Sequence, residues 1–156
     1  MVRRAVPADA REVTRLRRLM FASMGLDCDA SDWERACVAF FEQHFGTADV
    51  VAIVVDAPDG DGLAASGVIE LSQEIPSPRA PRGTNAYIST ISTDPRWRRR
   101  GMAAAIMDAL VGVAREAGID NVDLHATAEG RPLYERLGFA ERLGNPALRL
   151  PLTSTT

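Results

Sequence analysis

Apolar residues recur along this chain at two spacings, and each spacing predicts one kind of element. Repeats of three and four residues predict helices, which fall at 9–25, 31–46 and 100–117. Runs rich in β-branched residues predict strands, which fall at 2–6, 50–55, 63–71, 87–93, 122–125, 139–143 and 147–150. A short fourth helix is predicted at 129–137, because Pro132 is tolerated only in the first turn of a helix.

The order of these elements is β-α-α-β-β-β-α-β-α-β-β, which predicts an α/β protein with one central sheet. We expect a mixed, mostly antiparallel sheet flanked by about four helices, with a parallel pair where the helix at 100–117 makes a crossover. A capping box, Ser31 with Glu34, is predicted to start the second helix. The segment 72–83 carries three prolines and is predicted to be a loop.

Length and composition predict one soluble domain. A chain of 156 residues with 46% hydrophobic residues can bury a core without cross-links. Cys28 and Cys37 lack the spacing of a metal site and are too few for a disulfide framework, so we expect a reducing cytoplasm. No run of 18 apolar residues and no signal-peptide apolar region occurs, so neither a membrane partner nor export is expected.

The charged residues exclude several classes of protein. All 18 basic residues are arginine, which excludes a Walker lysine and a Schiff-base lysine. With two histidines, His-rich metal sites are excluded as well, and no metal is expected. The net charge of −3 argues against a nucleic-acid partner, which usually requires a broad basic face.

A local basic segment stands out against this acidic background. Residues 96–100 read Arg-Trp-Arg-Arg-Arg and run directly into Gly101 at the start of a predicted helix. Unpaired N–H groups of a first helical turn, the helix dipole and guanidinium groups all favour an anion there. Gly101 has no Cβ and allows a close approach of an oxygen. The segment therefore predicts a site for a phosphorylated ligand, with a solvated basic loop as the alternative.

Two motifs carry a resemblance to a known family. Residues 98–103 read Arg-Arg-Arg-Gly-Met-Ala, and about thirty residues later the chain reads Leu133-Tyr134-Glu135-Arg136-Leu137-Gly138-Phe139. Together they resemble the GNAT N-acetyltransferases, whose acetyl-CoA pyrophosphate loop reads Q/R-x-x-G-x-G/A and whose Tyr precedes a Leu-Gly-Phe turn. The resemblance implies acetyl-CoA as cosubstrate, bound by Ile91, Ser92, Thr93, Arg98, Arg99, Arg100, Gly101, Met102, Ala103, Ala104, Thr127, Gly130 and Pro132. Thr127 stands where many members carry Asn, and Gly130 where Ala is frequent.

The resemblance also implies an enzyme, an N-acetyltransferase that moves an acetyl group from acetyl-CoA to a primary amine of a small molecule, amino acid or peptide. Tyr134 would be the general acid, because a phenol can protonate a departing thiolate. Glu70 is the candidate general base, with a solvated sheet-edge carboxylate as the alternative. Segments 24–33 and 72–83 are expected to wall the amine pocket.

Within a single acetyltransferase domain spanning 1–156, the resemblance implies three parts. Residues 1–83 would form the acceptor side, 84–143 the acetyl-CoA-binding core, and 144–156 a final strand and tail. A noncatalytic acyl-CoA-binding or sensing module is the alternative from another class, and a homodimer stays open.

Overall fold

A computed structural model describes residues 1–142, 144 and 147–153. Residues 1–124 form one compact unit and the chain from His125 onward a second. The first unit holds β1 (Val2–Arg4), α1 (Ala10–Ser23), α2 (Trp33–His44), β2 (Val50–Asp56), β3 (Leu63–Gln73), β4 (Thr84–Thr93), α3 (Met102–Glu116) and β5 (Asn121–Leu124), with 3-10 turns at Pro7–Asp9 and Pro95–Trp97. The second unit holds α4 (Arg131–Arg136).

The five strands form one sheet in the order β1-β2-β3-β4-β5. The first three pairings are antiparallel and β4 pairs with β5 in parallel, so the predicted mixed, mostly antiparallel sheet is confirmed. The helix between β4 and β5 supplies the crossover that a parallel pair needs.

Helices cover both faces of the sheet. On one face lies α1, where the hydroxyl of Ser92 on β4 donates to the carbonyl of Leu16 at 2.7 Å. On the other face lies α3, whose Ile106 and Leu110 pack over Gly67 of β3. Because both faces are covered, all residues from Val50 to Val55 in β2 are buried, which accounts for the unbroken apolar run there.

Strand β4 has an irregularity in its middle. On β3, Val68 pairs with Thr90 while Ile69 pairs with Ile88, so Ser89 is an extra residue, a β-bulge. On its other side, β4 pairs with β5 over residues 85–88. Within residues 1–124, the second half of β4 therefore has β3 on one side and no strand on the other.

The two strands predicted at 139–143 and 147–150 are absent from the residues of these segments that the structure describes. Residues 139–142 and 147–150 have no strand conformation, and Leu143 lies outside the described residues. The segments hold Ala, Glu and Arg, which favour strands weakly, and Glu141 instead pairs with Arg131 of α4 at 2.8 Å. The prediction of a final strand in 144–156 is wrong for the described part of that segment.

The predicted capping box of α2 is also wrong. Helix α2 begins at Trp33 with Asp32 at its N-cap, and no side chain caps it. At the N-cap of α1, Asp9 makes no cap bond either, because its carboxylate accepts from Arg3 Nη1 at 2.8 Å and from the Val6 N–H at 2.8 Å. The Arg3 guanidinium holds the pKa of Asp9 below its usual value.

We expect Gly67→Ala to destabilise the fold by about 1–3 kcal/mol, because overpacking forces neighbours out of their rotamers. A Cβ at Gly67 would lie 2.7 Å from Ile91 Cδ1 and 2.9 Å from Leu110 Cδ1, and would also meet Ile106. Urea unfolding measures the difference.

Gly112→Ala is the matched control. Gly112 lies within α3 and a Cβ there would meet no atom within 4 Å. The same change should stabilise the protein by about 0.5–1 kcal/mol, because Gly is unfavourable inside a helix. Equal effects of the two substitutions would contradict the packing described for β3 and α3.

Candidate active site

The unpaired edge of β4 presents backbone groups. The Asp94 N–H donates to the carbonyl of Ala64 at 2.8 Å, so Asp94 points its backbone groups toward β3. Backbone groups of successive strand residues alternate in direction. Ile91 and Thr93 therefore direct their N–H and C=O groups to the side that has no partner strand within residues 1–124. An extended ligand can add to such an edge as a further strand.

The predicted residues of β4 differ in what their side chains do. Ser92 is buried and bonded to α1, while Ile91 packs toward Gly67 on the α3 side. Ile91 and Thr93 are half-buried. A ligand can therefore bind residues 91–93 through their backbone groups.

Asp94 ends β4 and fixes the turn that follows. Its buried carboxylate accepts from the Arg96 N–H at 3.0 Å and from the guanidinium of Arg15 on α1 at 2.9 Å. The Arg96 side chain also reaches the carboxylate, at 3.2 Å. The Arg96 and Arg15 bonds hold the pKa of Asp94 well below its usual range. Asp94 therefore links α1, β3 and the 3-10 turn.

The loop between this turn and α3 has an unusual backbone. Arg99 has a φ of +64°, which is rare for a residue other than Gly, and Gly101 has a φ of +75°. The first helical bond of α3 runs from the Ala105 N–H to the Gly101 carbonyl at 3.1 Å. The N–H groups of Met102, Ala103 and Ala104 therefore lie in the first turn, where a helix has no internal acceptor for them.

The surroundings of this first turn are open and cationic. A Cβ at Gly101 would meet no atom within 4 Å. Arg98, Arg99 and Arg100 are exposed, and no acidic residue in the described part of the chain forms an ion pair with them. Arg100 lies over the Trp97 ring, 4.9 Å from its centroid. Free N–H groups, a helix N-terminus and guanidinium groups together fit a diphosphate.

A cavity of about 250 Å³ lies on the α1 and α2 side of the sheet. Two of its lining residues are charged, Arg17 on α1 and Glu70 on β3, and one is the bulge residue Ser89. The others are apolar or aromatic: Trp33, Cys37, Phe40, Phe41 and Val68. Glu70 is half-buried, and its carboxylate has no hydrogen-bond or ion-pair partner among the described residues.

One of the two segments expected to wall the amine pocket contributes to this cavity. From segment 24–33, Trp33 lines it, while no residue of segment 72–83 does. That loop is held elsewhere, because Asp120, the residue before β5, accepts from the Arg82 N–H at 2.9 Å, and Asn121 donates to the Arg79 carbonyl at 2.8 Å. These contacts keep it beside the first residues of β4 and β5, far along β4 from Ser89.

In the second unit, the remaining predicted residues surround the start of α4. Thr127 accepts from the Gly130 N–H at 3.2 Å through its hydroxyl and from the Arg131 N–H at 3.0 Å through its carbonyl. Pro132 is the second residue of the helix, as its ring requires. Thr127 and Pro132 therefore define where α4 begins.

Tyr134 lies across the start of its own helix. A Cβ at Gly130 would be 3.1 Å from the phenol oxygen, so the missing side chain leaves room for the ring. Phe139 packs against the ring edge, with centroids 6.3 Å apart. Burial raises the pKa of Tyr134, and the hydroxyl has no hydrogen-bond partner among the described residues. The phenol therefore keeps its proton at neutral pH and can donate it.

The sequence matches the acetyltransferase (GNAT) family over residues 13–139. The chain belongs to this family. The probable glucosamine 6-phosphate N-acetyltransferase 2 of Oryza sativa subsp. japonica is 28% identical to this GNAT chain, over 73% of the chain and 80% of that protein. The family model and this relative confirm the predicted family and show that this GNAT protein is an acyltransferase.

Solved structures share the fold of this GNAT chain. A predicted acetyltransferase with acetyl-CoA from Clostridium acetobutylicum superimposes with a TM-score of 0.84 at 23% identity, covering 96% of this chain and 95% of that one. A GCN5-related N-acetyltransferase from Ralstonia eutropha JMP134 gives 0.82 at 24% identity, covering 96% and 97%. The α/β class predicted from the element order is thereby confirmed.

Sequence reasoning missed Arg17. It stands four residues after Val13 and four before Phe21, so it interrupts the apolar stripe of α1, and that interruption was the available signal.

Among the described residues, no group of three or more His, Cys, Asp or Glu side chains could hold a metal ion. No helix in the described part of this GNAT chain is long and apolar enough to cross a membrane.

We expect Asp94→Asn to lower the free energy of unfolding by about 1–3 kcal/mol at neutral pH, because hydrogen bonds to a buried charge are lost. Since the folded pKa of Asp94 is depressed, its contribution is full above the unfolded value of about 3.9 and disappears as the pH falls through the folded pKa. The difference between the two proteins, measured by urea unfolding, should therefore shrink below about pH 4.

Asp59→Asn provides the control. The Asp59 carboxylate is 42% exposed and lies 3.9 Å from Arg96, so its pairing is weak. A loss as large as that of Asp94→Asn would refute the assignment of Asp94 as the anchor of the turn.

Proposed function

We propose that the protein is an acetyl-CoA-dependent N-acetyltransferase that acts on a primary amine. The observation that carries the proposal is the arrangement along β4. Its open backbone edge at Ile91 and Thr93 leads directly into the cationic turn at 98–101, while its bulge at Ser89 borders the cavity with Glu70. One strand thus joins a surface suited to an extended, phosphorylated cosubstrate with a pocket suited to a small acceptor.

The residues present fit acetyl-CoA at one end of this arrangement. The pyrophosphate would bind the N–H groups of Met102, Ala103 and Ala104, with Arg98, Arg99 and Arg100 around it. The pantetheine would lie along the edge of Ile91 and Thr93, with Ser92 buried behind it. Thr127, Gly130 and Pro132 would act by setting the start of α4 and the position of the Tyr134 ring.

In the reaction, the Glu70 carboxylate takes a proton from the acceptor ammonium, directly or through water, and leaves a neutral amine. The amine nitrogen then bonds to the acetyl carbon, and the bond from that carbon to sulfur breaks. Tyr134 donates its phenol proton to the leaving thiolate, and the second proton that the nitrogen loses as the amide forms returns to the phenolate through water. The role of Tyr134 rests on the family for its placement and on its half-buried, protonated phenol for its chemistry.

We also propose that residues 1–156 act as a single acetyltransferase domain. The match to the family runs from residue 13 to residue 139 and so includes elements of both compact units. A noncatalytic acyl-CoA-binding module would share the loop at 98–103. Release of free thiol from acetyl-CoA in the presence of a panel of primary amines tests the proposal. If CoA binds but no amine causes thiol release, the noncatalytic binding module is favoured.

For the cosubstrate end, we expect Gly101→Val to weaken CoA binding more than Arg99→Ala does. Val strongly disfavours the left-handed backbone of Gly101 and adds a branched side chain where an oxygen must approach. Arg99→Ala removes one of three exposed guanidinium groups and leaves the first-turn N–H groups in place. Calorimetry with CoA measures both affinities.

Thermal unfolding without CoA is the control for this comparison, because a Gly101→Val protein that melts normally has kept its fold. If such a protein binds CoA with unchanged affinity, the diphosphate site lies elsewhere.

For the acid, Tyr134→Phe should lower kcat by about ten- to a thousandfold and leave the affinity for acetyl-CoA nearly unchanged, since the change removes the donated proton and keeps the ring. Steady-state kinetics and calorimetry measure the two quantities. An unchanged kcat would remove Tyr134 from the mechanism.

A further inference from the structure

We propose that the acceptor is a zwitterion, a primary amine that also carries a carboxylate and an apolar or aromatic side chain. This inference rests on the proposed function and adds the chemical class of the acceptor. Two charges of opposite sign in the cavity, Arg17 and Glu70, carry it.

Arg17 differs from Arg15 and Arg18 on α1 in its charged contacts with the described residues. Arg15 pairs with Glu12 and Asp94, and Arg18 pairs with Asp29 and Glu34. Arg17 is half-buried, and no carboxylate in the described part of the chain forms an ion pair with it. Its contacts are a hydrogen bond to the Thr90 hydroxyl and the faces of Phe21 and Phe41, at 5.1 and 5.9 Å from the ring centroids.

A guanidinium removed from water in this way is costly unless an anion compensates it. The Nε of Arg17 is fully buried and has no hydrogen-bond partner within residues 1–142, 144 and 147–153. A planar guanidinium presents a fork of donors that matches a carboxylate. An anionic group of the acceptor would supply the missing counter-charge.

Glu70 lines the same cavity without forming an ion pair with Arg17. Because the carboxylate has no partner among the described residues, it can receive a cation. The acceptor ammonium is that cation in the proposed reaction. A ligand with an ammonium group and a carboxylate would therefore neutralise both charges at once, which a simple amine cannot do.

The remaining residues that line the cavity determine which side chain the acceptor can carry. Trp33, Phe40 and Val68 offer apolar surface and few hydrogen-bond partners, so a polyhydroxylated sugar would leave its hydroxyls unpaired. The cavity has one arginine, which balances a carboxylate but only half of a phosphate dianion. A carboxylate on an apolar or aromatic amine fits both features better than an amino sugar phosphate.

The cavity also lies close to the expected acyl group. Ser89 lines it, and Ile91 follows two residues later on β4, which corresponds to about 7 Å along a strand. An amine in this cavity would thus lie beside the bulge residue, two residues before Ile91 on the open edge of β4.

The test uses matched pairs of amines with the same side chain. L-Phenylalanine and 2-phenylethylamine, and L-leucine and isopentylamine, differ by the carboxylate; glucosamine 6-phosphate represents the amino sugar phosphates. Thiol release gives kcat/KM for each. We expect the full-length protein to prefer the carboxylate member of each pair by about 10- to 100-fold, chiefly through KM.

Arg17→Met should abolish this preference by raising KM for the zwitterions, with the decarboxylated amines little affected. Arg11→Met is the control, because Arg11 is exposed on the same helix and the charge change is the same. Arg17→Lys should retain part of the preference. Should Arg17→Met fail to fold, as judged by circular dichroism and CoA binding, the Lys variant and the wild-type preference decide the matter.

Several results would overturn the inference: an equal preference in wild type and Arg17→Met, a wild-type preference for the decarboxylated amines, or a higher kcat/KM for glucosamine 6-phosphate than for any zwitterion. Each of these leaves the acetyltransferase function standing. If no amine releases thiol, the proposed function fails, and calorimetry of L-phenylalanine with wild type and Arg17→Met then tests the cavity alone. Binding that requires Arg17 supports the assignment, and no binding to wild type overturns it.

Discussion

The site depends on one constraint, the loss of a neighbouring strand halfway along β4. Up to Ile88 the strand is hydrogen-bonded on both sides, and beyond it the pairing continues with β3 while β5 ends at Leu124. Backbone polar groups that face no strand need another partner. The bulge at Ser89 sits at this transition, where an extra residue bends a strand and increases its twist. The same few residues thus create the open edge and border the cavity.

Where β4 ends, ion pairs replace strand pairing as the interaction that fixes the backbone. Asp94 gathers Arg15 and Arg96, so its charge is compensated within the protein. The next three arginines have no such partner in the described part of the chain, and the chain as a whole is acidic. A site for a polyanion therefore forms locally. The Asp94 carboxylate fixes the turn, and the guanidinium groups of the next three arginines can bind the anion. The left-handed Gly101 then turns the backbone so that the N–H groups of α3 follow directly.

The sequence predicted those parts of the molecule that depend on local patterns. The elements from β1 to α4 were found within a few residues, because their periodicity and their Gly and Pro boundaries are local. The strands at 139–143 and 147–150 failed, since a strand needs a partner and the local pattern does not show whether one is present. The turn at 98–101 was visible as a motif, whereas the cavity was not. Its residues come from α1, α2, β3 and β4, and only the tertiary fold brings Arg17 and Glu70 together.

The two charged side chains of the cavity, Arg17 and Glu70, also lower the stability of the folded protein. An arginine on the apolar stripe of α1 and a half-buried carboxylate on β3 would each be replaced by an apolar side chain if stability were the sole requirement. Arg17 is partly supported by the rings of Phe21 and Phe41 and by the Thr90 hydroxyl, which hold the side chain in place without neutralising it. A group held in position in this way, with no ion-pair partner in the described part of the chain, fits the proposed role of Arg17 in binding the acceptor. In the free protein, Arg17 and Glu70 thus each lack an ion-pair partner among the described residues, and a ligand that pairs with both should stabilise the fold on binding.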